Sequence, residues 1–215
     1  EQPTAIGRLV TEERERVWQM AARWRDHRPR FIMIAARGTS DHAAMYAKYL
    51  FETLIGIPVG FASPSVAGVY GATLDVRDAL VIGISQSGEA ADVIAVIDQA
   101  RQGGGDTLAV TNMQGSPLTV AAQKTIELHA EPEIAVAATK TFTSSMVVMF
   151  MLAAAIKGDD VLCAQVDRIP ALIDNVLRHR DRVDAVVERF RFLEECVVIG
   201  RGYNMATAFE LSLKL

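Results

Sequence analysis

Cysteine is scarce in this chain: its 215 residues hold two, Cys163 and Cys196. Both lie in apolar or helical surroundings, which gives neither a disulfide framework nor a zinc spacing and fits a reducing, cytoplasmic setting. Long hydrophobic runs are missing as well. The longest, Met146 to Ile156, falls short of the ~20 residues a bilayer-spanning helix needs. The opening Glu1-Gln2-Pro3 is polar, so no secretory signal is visible. Without an initiator Met, the chain is expected to begin inside a longer reading frame. Excess positive charge is also lacking: the formal charge is −4 and the pI about 5.6. A nucleic-acid partner would call for a basic face, so none is expected. A small anionic ligand stays open, because a helix N-terminus attracts one locally. No metal-ligand spacing is seen, and neither a metal nor another cofactor is expected.

What is present is ordinary for a globular chain of one or two domains: 50% hydrophobic residues, 22% charged, 15 Gly and 7 Pro. The organising stretch is Leu80 to Glu89. Leu80-Val81-Ile82-Gly83-Ile84 is short and apolar enough to be one buried strand. It breaks into Ser85-Gln86-Ser87-Gly88-Glu89 and resumes with helical periodicity from Ala90 to Ile97. A buried parallel strand that feeds a polar turn at a helix N-terminus is where open α/β sheets bind anions. First-turn N–H groups have no partner inside their helix. Ser85, Gln86 and Ser87 add side-chain donors, and Gly88 allows close backbone approach. The alternative is that Ser87 is a helix N-cap and nothing more.

Along the chain, residues 4–24 carry a helical apolar stripe, expected to lie as an arm across a sheet domain. Phe31 to Ala36 reads as a second buried strand. It ends in Arg37-Gly38-Thr39-Ser40-Asp41, with Ser40 as N-cap candidate for a helix to about Leu54. Short strands follow at Val59–Ala62, Thr107–Thr111 and Thr125–Leu128, with a short helix expected from Ser65 to Tyr70. Thr139 is expected to cap a long, mostly apolar helix to Lys157, the best-buried helix of the domain. This alternation implies an α/β fold: a doubly wound, mainly parallel five-stranded sheet with helices on both faces. Ser40 and Ser85–Ser87 would then converge at one edge of the sheet.

Beyond Gly158 the texture turns helical and charged. Cys196 to Tyr203 then repeats the form of Ile32 to Thr39, an apolar strand followed by Arg-Gly and a helix. The expected organisation is an N-terminal arm (1–28), a first domain (29–158), connecting helices (159–194) and the beginning of a second, similar domain (195–215).

Several motifs carry a family resemblance: Gly38-Thr39-Ser40, Ser85-Gln86-Ser87-Gly88-Glu89, Thr111-Asn112, Glu133 through Phe142, and Gly200-Arg201-Gly202 with Glu210 and Lys214. In this order and spacing they resemble the sugar isomerase (SIS) domain family. The closest likeness is to the isomerase half of glutamine:fructose-6-phosphate amidotransferases and to the glutaminase-free aminosugar-6-phosphate deaminase/isomerases. The resemblance implies tandem SIS domains, a homodimer and a hexose-6-phosphate ligand. It implies that Ser40, Ser85, Gln86 and Ser87 bind the phosphate with Thr39 alongside, and that the backbone of Val136 and Ala137 lines the sugar. It implies Lys214 as the catalytic lysine, with the partnering Glu and His beyond Leu215. His42, His129 and His179 match none of these roles.

Two positions depart from the amidotransferase pattern, Arg37 in place of Cys and Ala90 in place of Thr. Arg37 is expected either to offer the phosphate a charged fork or to pair with an acid such as Asp41. The implied chemistry is aldose–ketose isomerisation with ammonia gained or lost at C2, through ring opening and proton transfer between C1 and C2. With part of the active site beyond Leu215, the chain by itself is expected to be inactive. The competing reading is a non-catalytic SIS phosphosugar sensor, which needs the phosphate cradle but not Lys214.

Overall fold

Period-two alternation builds the core. In strand β1 (Phe31–Ala35), Ile32 and Ile34 enter one apolar cluster while Met33 and Ala35 enter another. Strands β3 (Ala79–Ile84) and β4 (Asp106–Thr111) divide their side chains the same way. Strands buried on both faces need helices on both sides. The computed structural model, which describes all residues except 64, 67, 68 and 134–136, supplies them. Helices α1 (Gln2–Asp26), α2 (Thr39–Leu54) and α5 (Lys140–Lys157) cover one face. Helices α3 (Ala91–Gln102) and α4 (Pro117–Ala121) cover the other.

With β2 (Val59–Phe61) and β5 (Lys124–Glu127), the strands order as β2-β1-β3-β4-β5, and every pairing is parallel. From β1 the chain moves outward to β2, then returns to place β3 on the opposite side of β1. That reversal leaves a crevice beyond the carboxyl ends of β1 and β3, the place where doubly wound sheets bind ligands.

α5 is long and apolar enough to cross a membrane by length and composition, but 72% of it is buried. It packs between α1 and α2, as a central core helix does. α1 packs along α5 and against β5, and is pinned at its end by Trp24, which is 1% exposed and whose indole Nε1 donates to Asp106 at 3.0 Å.

The connecting region is three short helices, α6 (Asp160–Val166), α7 (Ile169–Leu177) and α8 (Arg180–Val187). Pro170 sits in the first turn of α7, where its missing N–H costs nothing. The strand expected over Cys196–Gly200 is not formed: Val197 is 86% and Ile199 89% exposed, and no strand among the described residues pairs with them. An isolated strand has no ladder to hold it. α9 (Tyr203–Lys214) does form and packs on α2. Its N-cap Gly202 (φ 61°, ψ −137°) reproduces the backbone of Gly38 (φ 56°, ψ −130°), the N-cap of α2. The short helix expected at 65–70 includes residues outside those described.

Candidate functional site

Thr39, Ser40, Ser85, Gln86 and Ser87 line one cavity of about 270 Å³, together with Arg37, Ala90, Ala138, Thr141 and Phe142. The cavity occupies the crevice where β1 and β3 end. The N-termini of α2, α3 and α5 meet there, each the positive end of a helix dipole. In α2 the Ser40 and Asp41 N–H groups already donate to the Arg37 and Gly38 carbonyls at 3.2 and 2.9 Å.

The turn after β3 is held from below. The Ser85 hydroxyl accepts from Gly88 N at 3.2 Å, and Ser85 N donates to the Val110 carbonyl at 3.0 Å. The Gln86 carbonyl accepts from Asn112 N (3.1 Å) and from the Thr111 hydroxyl (3.2 Å). Asn112 in turn accepts from Ala130 N at 2.8 Å and donates to the Glu131 carbonyl at 2.7 Å. Backbone groups of the turn are thus satisfied by the neighbouring strand end. The Ser40 hydroxyl and the Gln86 amide have no protein partner among the described residues. Preorganised donors without internal partners suit an anionic ligand.

None of the expected side-chain caps is made. α2 begins at Thr39 with Gly38 as N-cap, so Ser40 lies inside the first turn. α3 begins at Ala91, and the Ser87 hydroxyl instead accepts from Glu89 N at 3.3 Å. Thr139 does hold the N-cap position of α5, but its hydroxyl donates, at 2.9 Å, to Glu133. Arg37 pairs with Asp92 at 3.4 Å, not with Asp41, because Asp92 sits in the first turn of α3 across the cavity mouth from β1. Arg37 lines the cavity at the same time, so pairing and facing the ligand site are not exclusive.

Ala137 is exposed and does not line the cavity; its neighbour Ala138 does. Val136 lies outside the described residues. Lys214 reaches the rim: its ammonium donates to the Ala138 carbonyl, pairs with Glu210 at 2.7 Å and lies 5.6 Å from the Phe142 ring centre. Glu210, 4% exposed, also accepts from the Thr39 hydroxyl at 3.1 Å and contacts His42 Nδ1 at 2.6 Å. Thr39 therefore faces the cavity while its hydroxyl is engaged by Glu210. His42 is fixed here too, a role that its place in the first turn of α2 hints at but does not specify.

Two carboxyls near the cavity titrate low. Burial pushes Glu133 up, but hydrogen bonds from Thr141, Thr139 and Lys140 outweigh it and hold the group at about 2. Burial likewise raises Glu210, and Lys214, His42 and Thr39 together keep it below the ordinary carboxylate range. Both are lower in the folded than in the unfolded chain. Their stabilisation is therefore complete above the ordinary value of 4.5 and fades as pH falls toward the folded value, about 2 for Glu133. Thermal melts between pH 7 and pH 2.5 should show the steepest loss below pH 4.5, and Glu133→Gln should flatten that slope. An unchanged slope in the variant would remove Glu133 from the account.

The SIS domain profile matches residues 27–155 of this chain, 129 of its 215 residues. Among curated proteins, the glutamine–fructose-6-phosphate aminotransferase (isomerizing) of Pyrococcus horikoshii is 37% identical over 190 residues, covering 86% of this chain and 32% of that protein. The chain thus spans about a third of the length of this curated relative. Among solved structures, a protein described as a phosphosugar isomerase from Silicibacter pomeroyi aligns with TM-score 0.92 at 37% identity, over 100% of this chain and 65% of that one. The C-terminal domain of glucosamine-fructose-6-phosphate aminotransferase from Francisella tularensis aligns with TM-score 0.85 at 26% identity, over 100% and 64%. The matched segment runs from the residues before β1 nearly to the end of α5 and encloses the switch-point crevice, so the chain belongs to the SIS domain family.

Proposed function

We propose that this chain binds a hexose 6-phosphate, fructose 6-phosphate or glucosamine 6-phosphate, in the crevice between β1 and β3, as part of an aminosugar-phosphate isomerase, deaminase or aminotransferase. One observation carries the reading: hydroxyl and amide donors from two separate strand ends, Ser40 on one and Ser85, Gln86 and Ser87 on the other, line a single cavity. The phosphate sits on these donors, with the α2 and α3 N-termini behind them and Arg37 beside them. The sugar extends toward Ala138 and Phe142, where Glu210 and the Ala138 carbonyl hold the Lys214 side chain. Anchoring the unreactive phosphate lets its binding energy position the carbons that react.

In the same proposal, residues 1–28 form an arm, 29–158 the first SIS domain, 159–194 a connector, and 195–215 open a second SIS domain. The shared backbone angles of Gly38 and Gly202 support that repeat. A homodimer and a cytoplasmic setting belong to it on the family's likeness.

Titration calorimetry with glucosamine 6-phosphate, fructose 6-phosphate and the free sugars tests the binding. The phosphorylated sugars should bind and the free sugars should not; equal affinity for both would contradict the cradle. Ser85→Ala and Ser87→Ala should each weaken binding by ~1–3 kcal/mol, the scale of a hydrogen bond to a charged group. Loss in neither variant would place the phosphate elsewhere.

A further inference from the structure

Three helix N-termini approach the crevice, and one of them is already filled. The Glu133 carboxylate sits on the first turn of α5. Its Oε1 accepts from Thr139 N at 2.7 Å, Lys140 N at 2.8 Å and the Thr139 hydroxyl at 2.9 Å. Its Oε2 accepts from the Thr141 hydroxyl at 2.5 Å and Thr141 N at 3.4 Å. A helix N-terminus with free N–H groups attracts anions, and here an internal carboxylate has taken that place. Of the residues it bonds, Thr141 lines the cavity; Ala138, the residue before Thr139, lines it too, and its carbonyl accepts from Lys214.

We propose that Glu133 is a positioning residue that sets the direction of the ligand in the crevice. It fixes residues 138–141 as the sugar end and, by its charge, keeps the phosphate away from α5 and on the Ser85–Ser87 side. This rests on the phosphosugar reading of the crevice. Two consequences of the geometry are separable. The carboxylate organises the wall that meets the sugar and Lys214, and it does not touch the turn that meets the phosphate. Its folded-state value of about 2 keeps it charged at any pH at which the protein would work.

The test compares two probes, glucosamine 6-phosphate and inorganic phosphate, on the wild-type chain, Glu133→Gln and Glu133→Ala. Glutamine keeps the size of the side chain and one acceptor oxygen, so it reads the charge with the least disturbance of the fold. In both variants the affinity for glucosamine 6-phosphate should fall about tenfold or more, the order of one lost charge-assisted hydrogen bond. The affinity for inorganic phosphate should stay level or rise. A merely structural role would leave the ratio of the two affinities at its wild-type value, whether both fall together or neither changes, and that result overturns the proposal. If Glu133→Ala does not fold, the ratio in Glu133→Gln decides. A wild-type chain that binds phosphate but shows no preference for the phosphosugar fails the underlying reading instead, and takes the positioning role with it.

Discussion

Replacing Gly88 by alanine should cost the fold about 2–4 kcal/mol and abolish phosphosugar binding. Gly88 has φ +67°, a region that costs an L residue roughly 1 kcal/mol. A Cβ placed there would stand 2.1 Å from the Ser116 hydroxyl oxygen and 2.5 Å from its Cβ. Ser116 is 8% exposed and is the N-cap of α4, so it has little room to retreat. Overpacking of this kind adds roughly 1–3 kcal/mol. In a chain of this size that lowers Tm by about 5–15 °C. The strain falls on the turn whose serines line the cavity, so binding should suffer beyond the loss of stability. Ser116→Gly in the same chain should restore part of the Tm, because it removes the clash and leaves the backbone strain. A Gly88→Ala variant that melts like the wild type would mean that the turn does not follow this course.

Replacing Glu210 by alanine should release α9. That helix buries only Ala206 and Glu210 among its residues. Its hold on α2 comes from the Glu210 carboxylate, shared by Thr39, His42 and Lys214, and from Tyr203. The Tyr203 hydroxyl meets the Thr53 hydroxyl at 2.5 Å, and its ring packs on Tyr46 and Tyr49. Removing one partner of a buried ion pair costs about 3–5 kcal/mol. Lys214, 25% exposed, can turn to water and recover part of this, so ~2–3 kcal/mol is expected. Hydrogen exchange is the suitable readout. Amides of residues 203–214 should lose protection in Glu210→Ala while those of β1, β3 and α5 keep it. Retained protection in α9 would show that Tyr203 and Ala206 hold the helix without the carboxylate.

The three central strands, β1, β3 and β4, are legible in the sequence because each is a short, mostly apolar run closed by polar or Gly residues, and burial on both faces leaves no other use for such runs. Leu80 to Ile84 and Phe31 to Ala35 show this most clearly. The cavity is legible for a related reason. A doubly wound order brings the ends of neighbouring parallel strands together, so two polar strand ends imply one crevice, and Ser40 and Ser85–Ser87 do meet there.

What the sequence hides depends on contacts between distant segments. Glu133 caps α5 from six residues ahead of the N-cap, outside any local capping pattern. The partner of Arg37 is Asp92, more than fifty residues away, and not the nearer Asp41. Glu210 meets His42 only because α9 lies along α2. The expected caps at Ser40 and Ser87 fail for a local reason. Gly38 at positive φ, and Ala90 in extended conformation, start the helices at positions that no hydroxyl occupies. The strand expected over Cys196–Gly200 illustrates the opposite limit: its residues have strand character, but a strand exists only against a neighbour.

The most direct measurement is a crystal structure of the chain soaked with fructose 6-phosphate or glucosamine 6-phosphate. The phosphate should lie within hydrogen-bond distance of Ser40, Ser85 and Ser87, with the sugar directed toward Ala138 and Phe142. Sugar phosphate seated on another surface, with this crevice holding only water, would contradict it.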